Sequence, residues 1–181
     1  IYELTNLYKE KTWRIISKEY HHDLSPFINE IEKWGKNSQH LITNSLGFRD
    51  STNRTVSKEK KGKRILLVGD SFIEGLGYDY EFTLAGLLKK KIGSSYEILN
   101  SAVSSYSPTI YYLKTKYLIE NGYQFDQVLV FLDVSDIVDE MYLEFDSKGK
   151  LKIPEEINKK NNLKNKFYDF TYFLRDNFII F

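Results

Sequence analysis

The 181 residues carry 26 Lys and Arg against 25 Asp and Glu, for a net charge of +1, with 41% hydrophobic and 15% aromatic residues. That balance supplies no global field toward nucleic acid, and the apolar share suits a globular domain with a core rather than a disordered tail. With no Cys, disulfides, thiol catalysis and thiolate metal sites are excluded, and no run approaches the roughly 18 apolar residues of a membrane span.

The chain begins at Ile1 and closes on Phe178-Ile179-Ile180-Phe181, which reads as a fragment. A signal peptide or anchor upstream would not be visible, so an extracytoplasmic or membrane-anchored setting stays open. Residues 1 to about 20 are expected to be helical. The pair His21-His22 follows. Neighbours on a strand point to opposite faces, so the two rings are poorly placed to share one ion. A surface or packing role is expected for His21, His22 and the isolated His40. Thr43 to Asp50 contains a turn at Asn44-Ser45 and Gly47, and residues 51 to 63 have the composition of an exposed linker with solvated lysines.

From Arg64 the chain alternates strand and helix. Arg64 to Val68 reads as a strand buried on both faces, as in a parallel sheet. It stops at Gly69-Asp70-Ser71, where Gly69 permits a tight turn. A serine just past a central strand lies where open α/β sheets keep their ligands. Leu84, Leu87, Leu88 and Ile92 mark one face of a helix, with Gly93 as its stop. Tyr96 to Leu99 is a second strand, ending at Asn100. Ser107-Pro108 opens a second helix, with an apolar face of Ile110, Leu113 and Tyr117 and an end at Asn121-Gly122. Gln127 to Leu132 reads as a third buried strand. The β-α-β-α-β order predicts a parallel sheet with right-handed crossovers. Tyr142 to Phe145 and Leu151 to Ile153 flank a turn and predict a hairpin on the site side. Leu163, Phe167, Phe170, Leu174 and Phe178 predict a final helix whose aromatic stripe is core.

Gly69-Asp70-Ser71-Phe72, with Gly75 nearby, resembles the first sequence block of the SGNH, or GDSL, hydrolases. The resemblance makes Ser71 the nucleophile and gives its own N–H to the oxyanion hole. Asn100-Ser101-Ala102-Val103-Ser104-Ser105 resembles the second block, Asn-x-x-x-x-Gly, with Ser105 at the glycine whose N–H faces the oxyanion. Asp133-Val134-Ser135-Asp136 resembles the third, Gly-x-Asn-Asp, with Ser135 at the oxyanion-binding Asn. A hydroxyl donates one hydrogen bond but reaches less far than an amide, and losing one such donor costs roughly 10²–10³ in rate. Gly69, Asp70, Asn100 and Asp136 are then structural at the site, with no metal and no cofactor. Asn44 to Asp50 resembles the amino-terminal arm of a bacterial subgroup, which also carries a Tyr-His-His-like element and packs this arm near the mouth of the site.

The likeness covers roughly residues 20 to 140. It implies an α/β three-layer sandwich around a central parallel sheet (flavodoxin-like), incomplete at the carboxyl end. Residues 1–63 would form an arm and linker, and 64–181 a partial domain. It implies a serine esterase or O-acyltransferase acting on acylated carbohydrate or small esters, with no nucleic-acid partner. The fourth block, Asp-x-x-His, is absent, and all three histidines precede residue 41. The catalytic His is therefore expected beyond Phe181, and the 181 residues alone are expected to be inactive. His21 or His22 serving as base is a weaker alternative, since nothing beside them supplies an orienting carboxylate. Another reading is a non-catalytic glycan-binding or assembly module, with Tyr106, Tyr111 and Tyr112 stacking on sugar rings. Asp70 and Asp133 at two strand ends also resemble a receiver domain, but receivers pair two acids after the first strand to hold Mg²⁺, and Ser71 stands in the second's place.

Overall fold

The computed structural model describes residues 13–34 and 37–153. Within the stretch expected to be helical, Arg14–Ser17 (β1) is a strand followed by a turn at 18–20, and residues 1–12 lie outside the described residues. Two adjacent β-branched residues, Ile15 and Ile16, favour the extended backbone. β1 pairs antiparallel with His21–Leu24 (β2), in the register Arg14↔Leu24 to Ser17↔His21. The Ser17 hydroxyl closes the turn by accepting the Glu19 and Tyr20 N–H groups. A second hairpin joins Asn29–Trp34 (β3) to Asn37–Ile42 (β4).

The Asn44–Asp50 segment folds back so that Arg49 bridges both Thr43 and Asn100. Gly47 sits at φ +74°, and a Cβ there would lie 2.1 Å from the Leu24 carbonyl oxygen, so only glycine fits. Next to it, Phe48 is buried in one cluster with Leu24, Leu41, Val56, Leu66, Val68 and Leu99. The arm and the sheet therefore share a core. Arg64 is anchored too, its guanidinium reaching Glu97 at 2.6 Å and the backbone carbonyls of Lys58, Glu59 and Gln124.

Lys63–Val68 (β5) is the middle strand of a three-stranded parallel sheet, flanked by Tyr96–Asn100 (β6) and Gln127–Val130 (β7), in the order β6-β5-β7. Leu66 and Val68 face the cluster with the arm. Ile65 and Leu67 face a second cluster with Ile73, Tyr80, Ala85 and Ile98. This alternation is the period of two that buries a strand on both faces. The helices are Ser71–Glu74 (α1), Leu84–Ile92 (α2), Pro108–Glu120 (α3) and Val134–Met141 (α4), with a 3₁₀ turn at Tyr80–Phe82. The chain is thus a mixed α/β protein, with a parallel sheet flanked by helices.

Three expectations change. The buried face of α2 is Ala85 and Gly86, with Leu88 and Ile92 beside it, while Leu84 and Leu87 are exposed. The 3₁₀ turn lies against Gly86 and rotates the helix onto its small residues. β7 is shorter than expected and is not buried: Val128, Leu129 and Val130 are exposed, Val130 at 51%. It pairs only with β5 among the described residues, and Leu132, Ile137 and Met141 that follow it are exposed as well. The expected hairpin reduces to a single bridge, Phe145↔Leu151, around a turn closed by Asp146 and Gly149. The stripe from Leu163 to Phe178 lies outside the described residues. No helix among the described residues is long and apolar enough to cross a membrane.

Candidate active site

The turn at the end of β5 is built by Gly69 and Asp70. A Cβ on Gly69 would sit 2.5 Å from Ile73 Cγ1, so a larger residue would push α1 away. Asp70 caps α1 by accepting the Phe72 N–H at 3.0 Å. Ser71 is half-buried and Phe72 beside it is 74% exposed, so the hydroxyl stands at the surface.

The first turn of α4 reaches the same point. Ser71 Oγ lies 3.3 Å and Ser135 Oγ 3.5 Å from one oxygen, Asp70 Oδ2. The hydroxyl of Ser135 is already engaged, however: Asp133 Oδ1 accepts both its O–H and its N–H at 2.6 Å. Asp136 accepts the Asp133 N–H at 3.0 Å, which completes a capping box that opens α4. The other oxygen of Asp136 accepts from the Tyr111 hydroxyl at 2.7 Å, and burial beside that carboxylate pushes the phenol far above its ordinary range. Carboxylate oxygens of Asp70, Asp133 and Asp136 lie within 4.8 Å of one another. Burial first, then Asp133 and Asp136, raises the Asp70 carboxyl above its usual value.

The loop after β6 is tied to the helix that Ser71 opens. Asn100 is fully buried; its amide donates to the Ile73 carbonyl at 2.7 Å and its oxygen accepts the Ala102 N–H at 3.2 Å. Ser104 N–H donates to Glu74 Oε2 at 2.6 Å, and the Ser104 carbonyl faces His22 Nε2 at 2.9 Å. Ser105 follows at φ +63°, the left-handed conformation that suits a glycine and costs other residues roughly 1–2 kcal/mol. Its N–H donates to no partner among the described residues.

Several residues that hold this site are not evident from sequence. Glu74 is fully buried, paired with Arg14 at 2.8 Å, and Arg14 also lies 3.6 Å from Glu32. The Arg49 guanidinium donates to the carbonyls of Glu74, Gly75 and Tyr78. Lys114 is buried and donates to Asp23 at 2.8 Å, the Ser101 carbonyl at 2.9 Å and the Tyr106 hydroxyl at 3.1 Å. Burial lowers its pKa while Asp23 opposes the shift. Lys114 had a signal, since it stands four residues after Ile110 and three before Tyr117, on the apolar face itself. Glu74 and Arg14 had none, because their pairing spans 60 residues.

His21 and His22 take the packing role. Their Nδ1 atoms are 2.8 Å apart and both rings are buried. The rings meet despite adjacent strand positions because His21 adopts φ +90°. His40 Nε2 bonds to Asn29. These contacts occupy both nitrogens of His22 and leave none of the three rings bonded to Ser71. Of the three tyrosines weighed for sugar stacking, Tyr106 and Tyr111 are core residues, and only Tyr112 is exposed, at 64%. A cleft lined by Tyr20, Asp23, Phe48, Lys58, Tyr117 and Tyr123 lies apart from Ser71, which does not line it.

No protein-family model matches the chain, and no curated protein matches it. The chemistry therefore has to be read from the geometry: a surface hydroxyl at the end of the central strand, a free backbone N–H on the neighbouring loop, and a buried polar frame behind both.

Proposed function

We propose that the chain carries the nucleophilic part of an SGNH-type serine esterase or O-acyltransferase acting on acylated carbohydrate or small esters, on a flavodoxin-like three-layer sandwich. What supports this reading is one convergence: Ser71 at the end of the middle strand meets Ser135 from the first turn of α4 at a single Asp70 oxygen. The loop after β6 is bonded to α1 as well. In this reading Ser71 Oγ adds to the ester carbonyl, the alcohol leaves with a proton, and the acyl-enzyme passes its acyl group to water or to a sugar hydroxyl. The N–H groups of Ser71 and Ser105 hold the oxyanion. Ser135 contributes little while Asp133 holds its proton. In this reading the base is a histidine other than these three: both nitrogens of His22 are occupied, and neither His21 nor His40 bonds to Ser71. The test uses the native full-length protein with an acetyl ester and a fluorophosphonate label. Ser71→Ala abolishes both turnover and labelling; turnover that survives the substitution overturns the assignment.

One observation favours a second reading. Carboxylate oxygens of Asp70, Asp133 and Asp136 cluster within 4.8 Å of one another, with Asp70 against the Ser71 hydroxyl, and negative charge beside a forming oxyanion opposes catalysis. A non-catalytic glycan-binding or assembly module accommodates that charge. It predicts saturable glycan binding, undiminished in Ser71→Ala, with no turnover.

A further inference from the structure

Both sides of the Ser104 residue are gripped from the buried frame. Its N–H donates to Glu74, and its carbonyl accepts from His22. The second grip matters more, because the Ser104 carbonyl and the Ser105 N–H belong to one peptide plane. In a trans peptide these two groups point in opposite directions. A ring that fixes the carbonyl therefore also fixes the direction of the N–H, on the far side from the ring.

With both rings kept neutral by burial, the hydrogen-bond chain sets the tautomers. A carbonyl only accepts, so His22 Nε2 carries the proton and His22 Nδ1 does not. His21 Nδ1 must then donate to His22 Nδ1 across 2.8 Å. That leaves His21 Nε2 as an unprotonated acceptor, and it is buried without a hydrogen-bond partner. The arrangement leaves one buried acceptor unsatisfied in order to hold His22 in a single tautomer. At the end of the chain, Ser105 is held in a backbone conformation that a serine rarely adopts, with its N–H free.

We infer that His22, held in its Nε2-protonated form by His21, is a positioning residue that aims the Ser105 N–H into the oxyanion site. The inference rests on the ester-chemistry reading above and adds to it a role for the amino-terminal hairpin. His22 touches no reacting atom and acts through the Ser104–Ser105 peptide.

The test uses the full-length protein and begins without any variant. The ¹⁵N shifts of the His22 ring report which nitrogen carries the proton, and an unprotonated Nε2 overturns the inference at once. In His22→Phe, kcat on an acetyl ester falls by about 10²-fold, the scale of a lost oxyanion donor, while KM is unchanged. His22→Gln places an amide donor near the same point and recovers most of the rate. The Ser105 amide resonance moves in His22→Phe and returns in His22→Gln. Unchanged kcat in His22→Phe, equal losses in both variants, or an unmoved Ser105 resonance overturns the inference. A parent protein with neither turnover nor fluorophosphonate labelling overturns the ester-chemistry reading instead, and the Ser105 resonance still decides whether His22 sets that peptide.

Discussion

Asp133 competes with an oxyanion for the hydroxyl proton of Ser135. Asp133 Oδ1 holds both the hydroxyl and the amide of Ser135 at 2.6 Å. Replacing the pair, Asp133→Gly with Ser135→Asn, removes one carboxylate and offers an amide donor in place of the captured hydroxyl. If the site is catalytic, kcat on an acetyl ester rises by about 10-fold or more, toward the roughly 10²–10³ that one oxyanion donor contributes. A double variant no faster than the parent would place the limitation elsewhere. The motif residues at this scale were legible because each sits at the carboxyl end of a strand and carries its own turn chemistry. Asp70 and Asp136 accept backbone N–H groups at helix starts, and Asn100 bonds to the Ile73 carbonyl and the Ala102 N–H. Glu74 and Arg14 were not legible, because a buried ion pair across 60 residues has no local pattern in either partner's neighbourhood.

At the scale of elements, the β1–β2 hairpin makes stability depend on pH. Burial lowers His21 to about 4, and His22 well below its ordinary 6.5, with the neighbouring His21 adding to that. The folded state therefore keeps both rings neutral where the unfolded chain protonates them near 6.5. The unfolded state binds more protons below that pH, so stability falls as pH falls from about 6.5, and the His21 contribution levels off near 4. Each ring contributes a slope of at most about 1.4 kcal/mol per pH unit. Urea denaturation at several pH values between 7 and 4 measures it, and His21→Leu shallows the dependence. The contact between α3 and β2 is as demanding. Lys114→Met strands Asp23 without its cation in the core and costs about 3–5 kcal/mol, read from the same denaturation curves. Among the elements, β5 was legible from its unbroken apolar run. β1 was misread because a patchy apolar face resembles an amphipathic helix over so few residues, and the burial of β7 was misread because periodicity does not say whether a neighbour covers a strand.

For the whole molecule, the arm is part of the core rather than an appendage. Leu24, Leu41, Phe48 and Val56 pack in one cluster with Leu66, Val68 and Leu99 of the sheet. A chain beginning at Lys58 loses those partners and exposes one face of β5. It is expected to lose the cooperative thermal transition, which circular dichroism of the truncated and parent proteins would compare. Retention of a parent-like melt would show that the sheet needs only its helices. The expected alternation of strands and helices was legible at this scale because parallel strands need long crossovers. The docking of the arm onto the sheet had no local signal, since the contacts that join Phe48 and Arg49 to the sheet are non-local.

The same wiring bears on how such a chain can change over generations. Arg14, His22 and Arg49 all reach from the first fifty residues into Glu74, Ser104 and the carbonyls behind Ser71. A recombination event that exchanged this stretch for a foreign one would have to import all three side chains in register, along with Gly47 beneath Leu24. Crossovers inside the first fifty codons are therefore heavily constrained. Crossovers within the exposed lysine-rich stretch before β5 separate the halves only when both partners carry matching frames.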